Sequence, residues 1–260
     1  MPLVPLNGID LYYEVEGEGD WLILVHGGGG NHLDWYRQVY GLRDRFRCLT
    51  FDQRGLGRSS GAENYAGADA DVLALMDHLG IDKAHVNGHS GGGWAASKLA
   101  QAHPERLRSL IMTSSHFGFQ TAAMVRWAGE MLEKLQAGFD IRQHMHGRHF
   151  VATQPELAFL HHAIRRASAH SAAAGGSGAD YLDVYRAMQR APVLDYAKLG
   201  VPSLFVVGTE DQLTVPTVVR GTAAAVGGST LREIPGAGHY VQIEAAAEYN
   251  DVLAEFLGGV

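Results

Sequence analysis

The chain has one cysteine in 260 residues, Cys48. No internal disulfide is possible, and the chain is long enough to bury most of its apolar surface without such staples. Cys48 lies in Arg47-Cys48-Leu49-Thr50-Phe51, an apolar run where a buried, inert thiol is expected. Cationic residues are also short. The 21 Lys and Arg against 28 Asp and Glu leave a net charge of −7. That balance favours solubility and speaks against a nucleic-acid partner, whose phosphates need a basic face. No apolar run approaches the roughly 20 residues of a membrane span, so no membrane association is expected. The start, MPLVPLNGID, carries no cation, since the first basic residue is Arg37, and Pro2 and Pro5 break its short apolar run. It does not read as a signal peptide, and a cytoplasmic protein is the expectation. Internal repeats and heptads are absent too, which excludes solenoids and coiled coils. Oligomeric state has no signature here.

What the chain does have is 46% hydrophobic and 19% charged residues, ordinary values for a globular protein. Short apolar runs read as strands: Ile9–Val15, Trp21–Val25, Arg47–Phe51, Ala84–Asn87, Ser109–Met112, Ser203–Val207 and the weaker Leu231–Ile234. Helical patterns lie between them. ADADVLALMDHLG opens with Asp69 and Asp71, carries a stripe of Val72, Leu75, Met76 and Leu79, and stops at Gly80. GGGWAASKLAQAHPER is an Ala-rich helix ending near His103, before Pro104. EAAAEYNDVLAEFLGG is an amphipathic helix at the end of the chain. Such alternation predicts an α/β fold: a mainly parallel sheet with helices on both faces.

Residues 116–196 break the alternation. They predict helices at Phe119–Ala137, Pro155–Ala169 and Asp180–Arg190, with the small-residue stretch Ala167–Asp180 as a flexible linker. The expected organisation is a core of residues 1–115 and 197–260 interrupted by this helical insertion.

The chemistry gathers around GHSGG, residues 88–92. Here a strand runs into a turn and a helix leaves it, with glycines two residues either side of Ser90. A serine on such a tight turn is placed as a nucleophile, and the helix start aims N–H groups at an anion beside it. Serine needs a base. Of 14 histidines, His239 in IPGAGHYVQIE follows the last strand and lies at the carboxyl edge of the sheet, where such sites gather. Asp211 in GTEDQLTVP is the orienting acid expected after the preceding strand, with its neighbour Glu210 as the alternative. An oxyanion hole needs two backbone donors. Gly91 supplies one, and Gly28 of HGGGG the other, with Gly29 as the alternative, where Gly27 and its neighbours let backbone press against a substrate carbonyl.

These segments, together with FDQRGLGRSS (51–60) and HPERLRSLIM (103–112), occur from end to end of the chain. They resemble the α/β-hydrolase superfamily, in its small, cap-bearing esterase and lactonase-like branch. The resemblance implies Ser90 as nucleophile, His239 as base and Asp211 as acid, and makes 116–196 a helical cap over the active site. Ser90 stands where related haloalkane dehalogenases and epoxide hydrolases carry aspartate, which disfavours those reactions. A serine with an oxyanion hole suits a carboxylic ester or lactone, cleaved through an acyl-enzyme without cofactor or metal. The alternatives are hydrolysis of a carbon–carbon bond in a vinylogous diketone, a thioesterase or methylesterase, and a ligand receptor that keeps the pocket.

Other residues have plainer readings. His26 is expected to hydrogen-bond and shape its own loop, and His89 to pack or line the pocket. Arg54 and Arg58 read as turn-stabilising or surface residues, and Trp94 as core. HMHGRH (144–149) has an HxHxxH spacing, but Arg148 stands where a metal motif carries an acid. It reads, like His161 and His162, as a solvated or hinge cluster with no metal.

Overall fold

A computed structural model describes residues 2–64, 67–167 and 178–260. Its eight strands form one sheet in the order β1-β2-β4-β3-β5-β6-β7-β8. They are β1 (Leu3–Leu6), β2 (Ile9–Glu16), β3 (Asp20–Val25), β4 (Phe46–Phe51), β5 (Ala84–His89), β6 (Leu107–Thr113), β7 (Ser203–Gly208) and β8 (Thr230–Ile234). β1 and β2 pair antiparallel, and β2 pairs antiparallel with β4. From β4 to β8 the pairing is parallel. The expected α/β architecture is therefore the observed one.

The helices are α1 (Tyr36–Leu42), α2 (Ala68–His78), α3 (Gly93–Ala102), α4 (Ala122–Gln136), α5 (Arg148–Thr153), α6 (Pro155–Ala167), α7 (Gly178–Arg190), α8 (Pro216–Ala225), α9 (Val241–Glu244) and α10 (Ala246–Leu257). Strand periodicity explains the layers. Successive side chains of β3 point to opposite faces. Ile23 and Val25 join one core with Val72 and Leu75 of α2, Leu99 of α3 and Val219 of α8. Leu22 and Leu24 join the other with Trp35 and with Tyr249, Leu253 and Leu257 of α10. Both faces are covered, which is why the central strands read as continuous apolar runs.

Sequence and structure differ at several places. β1 carries Pro5 and was not expected as a strand; it is an edge strand, where a missing N–H is tolerated. Between β6 and β7 the described residues form helices and no strand. α4 starts at Ala122, three residues after the expected Phe119. The Thr121 side chain caps it by accepting from the Met124 N–H, while Phe119 is buried against Tyr196 and Phe205. α5 was not anticipated. The expected linker Ala167–Asp180 falls mostly on 168–177, outside the described residues. Among the described residues no helix is long and apolar enough to cross a membrane.

Parallel strands end at one edge of the sheet. That edge therefore carries the loops after β3 (His26–Gly30), β4, β5 (Ser90), β6, β7 (Asp211) and β8 (His239).

Candidate active site

Ser90 has φ 48°, in the left-handed region that side-chain-bearing residues avoid. Its glycine neighbours make the turn possible. A Cβ at Gly88 would lie 2.6 Å from the Gly92 carbonyl oxygen, and one at Gly92 would lie 2.5 Å from the carbonyl oxygens of Val25 and His26. The turn continues as one 3-10 turn, Ser90–Gly92, into α3. Ser115, just past β6, donates from Oγ to the Ser90 carbonyl at 2.8 Å and ties the turn to the next strand.

The loops bring three expected residues together. Ser90 Oγ lies 2.9 Å from His239 Nε2, and His239 Nδ1 lies 2.9 Å from Asp211 Oδ2. A carboxylate only accepts, so Nδ1 carries the proton, and Nε2 is left to accept from the serine hydroxyl. The other Asp211 oxygen accepts from the N–H groups of Leu213 and Thr214, both at 2.9 Å. Asp211 is buried and fixed from both sides. Glu210 turns elsewhere and accepts from the His149 N–H.

The glycine loop after β3 lies against this turn. A Cβ at Gly27 would lie 3.1 Å from Ser90 Cβ and 2.9 Å from His89 Nδ1. Gly91, Gly28 and Gly29 are half-buried. His26 donates from Nδ1 to the Gly27 carbonyl and accepts the Gln53 N–H at Nε2, while the Gln53 side chain donates to the His26 carbonyl. Its ring thus bonds its own loop and the loop after β4. Burial holds its pKa below the usual histidine value. His89 is fully buried, donates from Nε2 to the His239 carbonyl at 3.0 Å and packs on Tyr240. Burial holds its pKa well below the usual histidine value. His116, after β6, is also fully buried, packed between Phe117 and Trp127, and neither ring nitrogen has a partner among the described residues.

The plainer readings divide. Arg54 makes a two-pronged bond to Asp71, and Arg58 donates to the Tyr12 hydroxyl. Both brace the loop after β4. Trp94 is half-buried and stacks on Phe117. Of the 144–149 segment and its partners, Arg148, His149 and His162 are exposed, but His146 and His161 are not solvated. His146 and His161 are packed around Tyr240, because two buried carboxylates anchor them. His146 Nδ1 meets Glu244 Oε1 at 3.1 Å, His146 Nε2 meets His161 Nδ1 at 3.2 Å, and His161 Nε2 meets Asp34 Oδ1 at 3.3 Å.

Three members of this surrounding network were missed. Glu244 accepts from the N–H groups of Gly147 and Gly238 at Oε2 and of Tyr240 at Oε1, and so grips both sides of His239. Asp34 and Arg165 pair below α6, and Arg165 also donates to the Gly28 carbonyl. In sequence they are scattered charges more than a hundred residues apart, and only a carboxylate set in apolar surroundings, as in YVQIE, hints at burial.

A family model described as alpha/beta hydrolase fold matches residues 20–246. The chain is similar to the provisionally named carbamate hydrolase RutD of Variovorax paradoxus (strain S110), 30% identical over 96% of this chain and 97% of that protein. A match to the RutD of Caulobacter sp. (strain K31) is 39% identical but spans 40% of this chain and 42% of that protein, under half its length. The enol-lactonase of Burkholderia xenovorans LB400 has a similar solved structure, with TM-score 0.74 and 26% identity over 99% of this chain and 100% of that one.

Proposed function

The chain belongs to the alpha/beta hydrolase fold family, and on that premise we propose that it is a serine hydrolase cleaving a carboxylic ester or lactone through Ser90, His239 and Asp211. The observation that carries the reading is the relay from Ser90 Oγ through the imidazole to Asp211, 2.9 Å at each step, on a strained turn. His239 takes the hydroxyl proton as Ser90 Oγ attacks the carbonyl carbon. The N–H of Gly91, with that of Gly28 or Gly29, receives the oxyanion. The imidazolium gives its proton to the leaving alkoxide as the carbon–oxygen bond breaks. A water, deprotonated by His239, then releases the acid from Ser90. Asp211 keeps the imidazole in the tautomer this cycle needs. Residues 1–115 and 197–260 form the proposed core, and 116–196 the proposed lid that shapes the pocket.

A second reading shares the same chemistry. The similar protein of Variovorax paradoxus is named for carbamates, whose carbonyl is attacked in the same way. A panel of p-nitrophenyl esters, lactones, thioesters and carbamates separates the two. In the purified protein, a fluorophosphonate is expected to label Ser90, and Ser90→Ala abolishes both labelling and turnover. Asp211→Asn is expected to lower kcat by about 10³- to 10⁴-fold. Labelling that persists in Ser90→Ala refutes the nucleophile. Unchanged turnover in Asp211→Asn removes the acid.

A further inference from the structure

Arg165 reaches from α6 to the glycine loop. Its Nη2 donates to the Gly28 carbonyl at 2.8 Å, its Nη1 to Asp34 Oδ2 at 3.1 Å, and the guanidinium lies over the Tyr240 ring. Asp34 is fully buried. Burial alone would raise its pKa, but Arg165, and then His161, hold its carboxyl well below the usual carboxylate range. The ion pair is therefore intact at any working pH. The loop is shaped around it. A Cβ at Gly30 would meet Asp34 Oδ2 at 2.2 Å, and Gly29 has φ +63° with its Cβ position 3.3 Å from Arg165 Nη2. Two of the four glycines are needed to let backbone lie against this pair.

A buried ion pair contributes little net stability against apolar residues of similar size, so its better-attested use is to fix one geometry. Here the fixed object is a peptide plane. In a trans peptide the C=O and the following N–H point in opposite directions. Anchoring the Gly28 carbonyl on Arg165 thus sets the direction of the Gly29 N–H. The preceding plane is set in the same way: the Gly27 carbonyl accepts from His26 Nδ1 and from the Gly30 N–H, which sets the Gly28 N–H. A cation on a carbonyl also polarises its peptide and makes its N–H a stronger donor.

We propose that Arg165, held by Asp34, is a positioning residue that orients and polarises the oxyanion loop from the helical insertion. The inference rests on the serine-hydrolase reading above. It makes α6 part of the catalytic geometry as well as of the pocket wall.

The test uses the full chain with Arg165→Met, Arg165→Lys and Asp34→Asn. Misdirecting one oxyanion donor is expected to lower kcat on a short p-nitrophenyl ester by about 10- to 100-fold, with KM moving less than about threefold. Affinity for a trifluoromethyl ketone, whose adduct carries the oxyanion, falls in step with kcat/KM. Lysine, which keeps the charge but not the fork, recovers part of the loss. A folded Arg165→Met with kcat within about twofold of wild type overturns the inference. So does a raised KM at constant kcat, which would make Arg165 a substrate contact. If the methionine variant does not fold, Arg165→Lys decides: unchanged kcat and ketone affinity overturn the proposal. A wild type that neither turns over esters nor labels at Ser90 overturns both readings, whereas a labelled wild type with an unaffected variant overturns this one alone.

Discussion

Acid is expected to unfold this protein from the inside. His116 and His85 are buried, and burial lowers their pKa values from 6.5 to about 3 and about 4. The folded protein thus binds these protons less tightly than the unfolded chain. As pH falls through 6.5 the unfolded chain takes them up first, so stability is full above 6.5 and drains away toward pH 4. Between pH 7 and 4.5 the two histidines together account for on the order of 5 kcal/mol. That is a large share of the ~5–15 kcal/mol typical of a domain. His26, His89 and His161 are shifted in the same direction by burial and add to the loss. The assay is equilibrium urea unfolding, followed by tryptophan fluorescence, at pH 7, 6, 5 and 4.5. His116→Leu isolates one share. It removes two ring nitrogens that lack partners among the described residues, so stability at pH 7 is expected to hold or rise. The pH slope should lose about half the calculated contribution. A wild type that loses less than about 1 kcal/mol over this range, or a His116→Leu slope equal to wild type, refutes the reasoning.

Two further outcomes follow from the site. Gly92→Ala puts a methyl 2.5 Å from two carbonyl oxygens of the β3 end; it is expected to destabilise by about 1–3 kcal/mol and to lower kcat, both measured on the purified variant. Glu244→Gln keeps the shape but leaves at least one of the N–H groups it serves unpaired, at a cost of about 2–4 kcal/mol. A thermal melt should read this as a fall of roughly 5–15 °C, with a loss of turnover as the His239 loop slackens.

Legibility followed burial and range. The parallel strands were readable because both their faces are covered, so each is an unbroken apolar run. Ser90, Asp211 and His239 were readable as candidates because each follows such a run and strand ends share one edge. β1 was missed although Asn7-Gly8, with φ of 49° and 76°, is the turn pair that a two-residue hairpin prefers. Its apolar run is short and broken by Pro5, which a strand tolerates only at a sheet edge. The start of α4 was misjudged because Phe119 fits a helical stripe equally well, and the Thr121 cap decides. Arg165, Asp34 and Glu244 left no local trace. Each is a charge whose partners lie far along the chain, and periodicity registers apolar faces, not ion pairs.

The chain of contacts from Glu244 through His146 and His161 to Asp34 has a proton-counting consequence. Both ends only accept, and three contacts need three N–H groups, but two neutral imidazoles own two. The chain closes only with one borrowed proton. With Asp34, Glu244 and Arg165 beside it, that proton would bring these five side chains to neutrality. Burial resists the loan at His161, so this joint between insertion and sheet sets the pairing of its carboxylates against the burial of its rings.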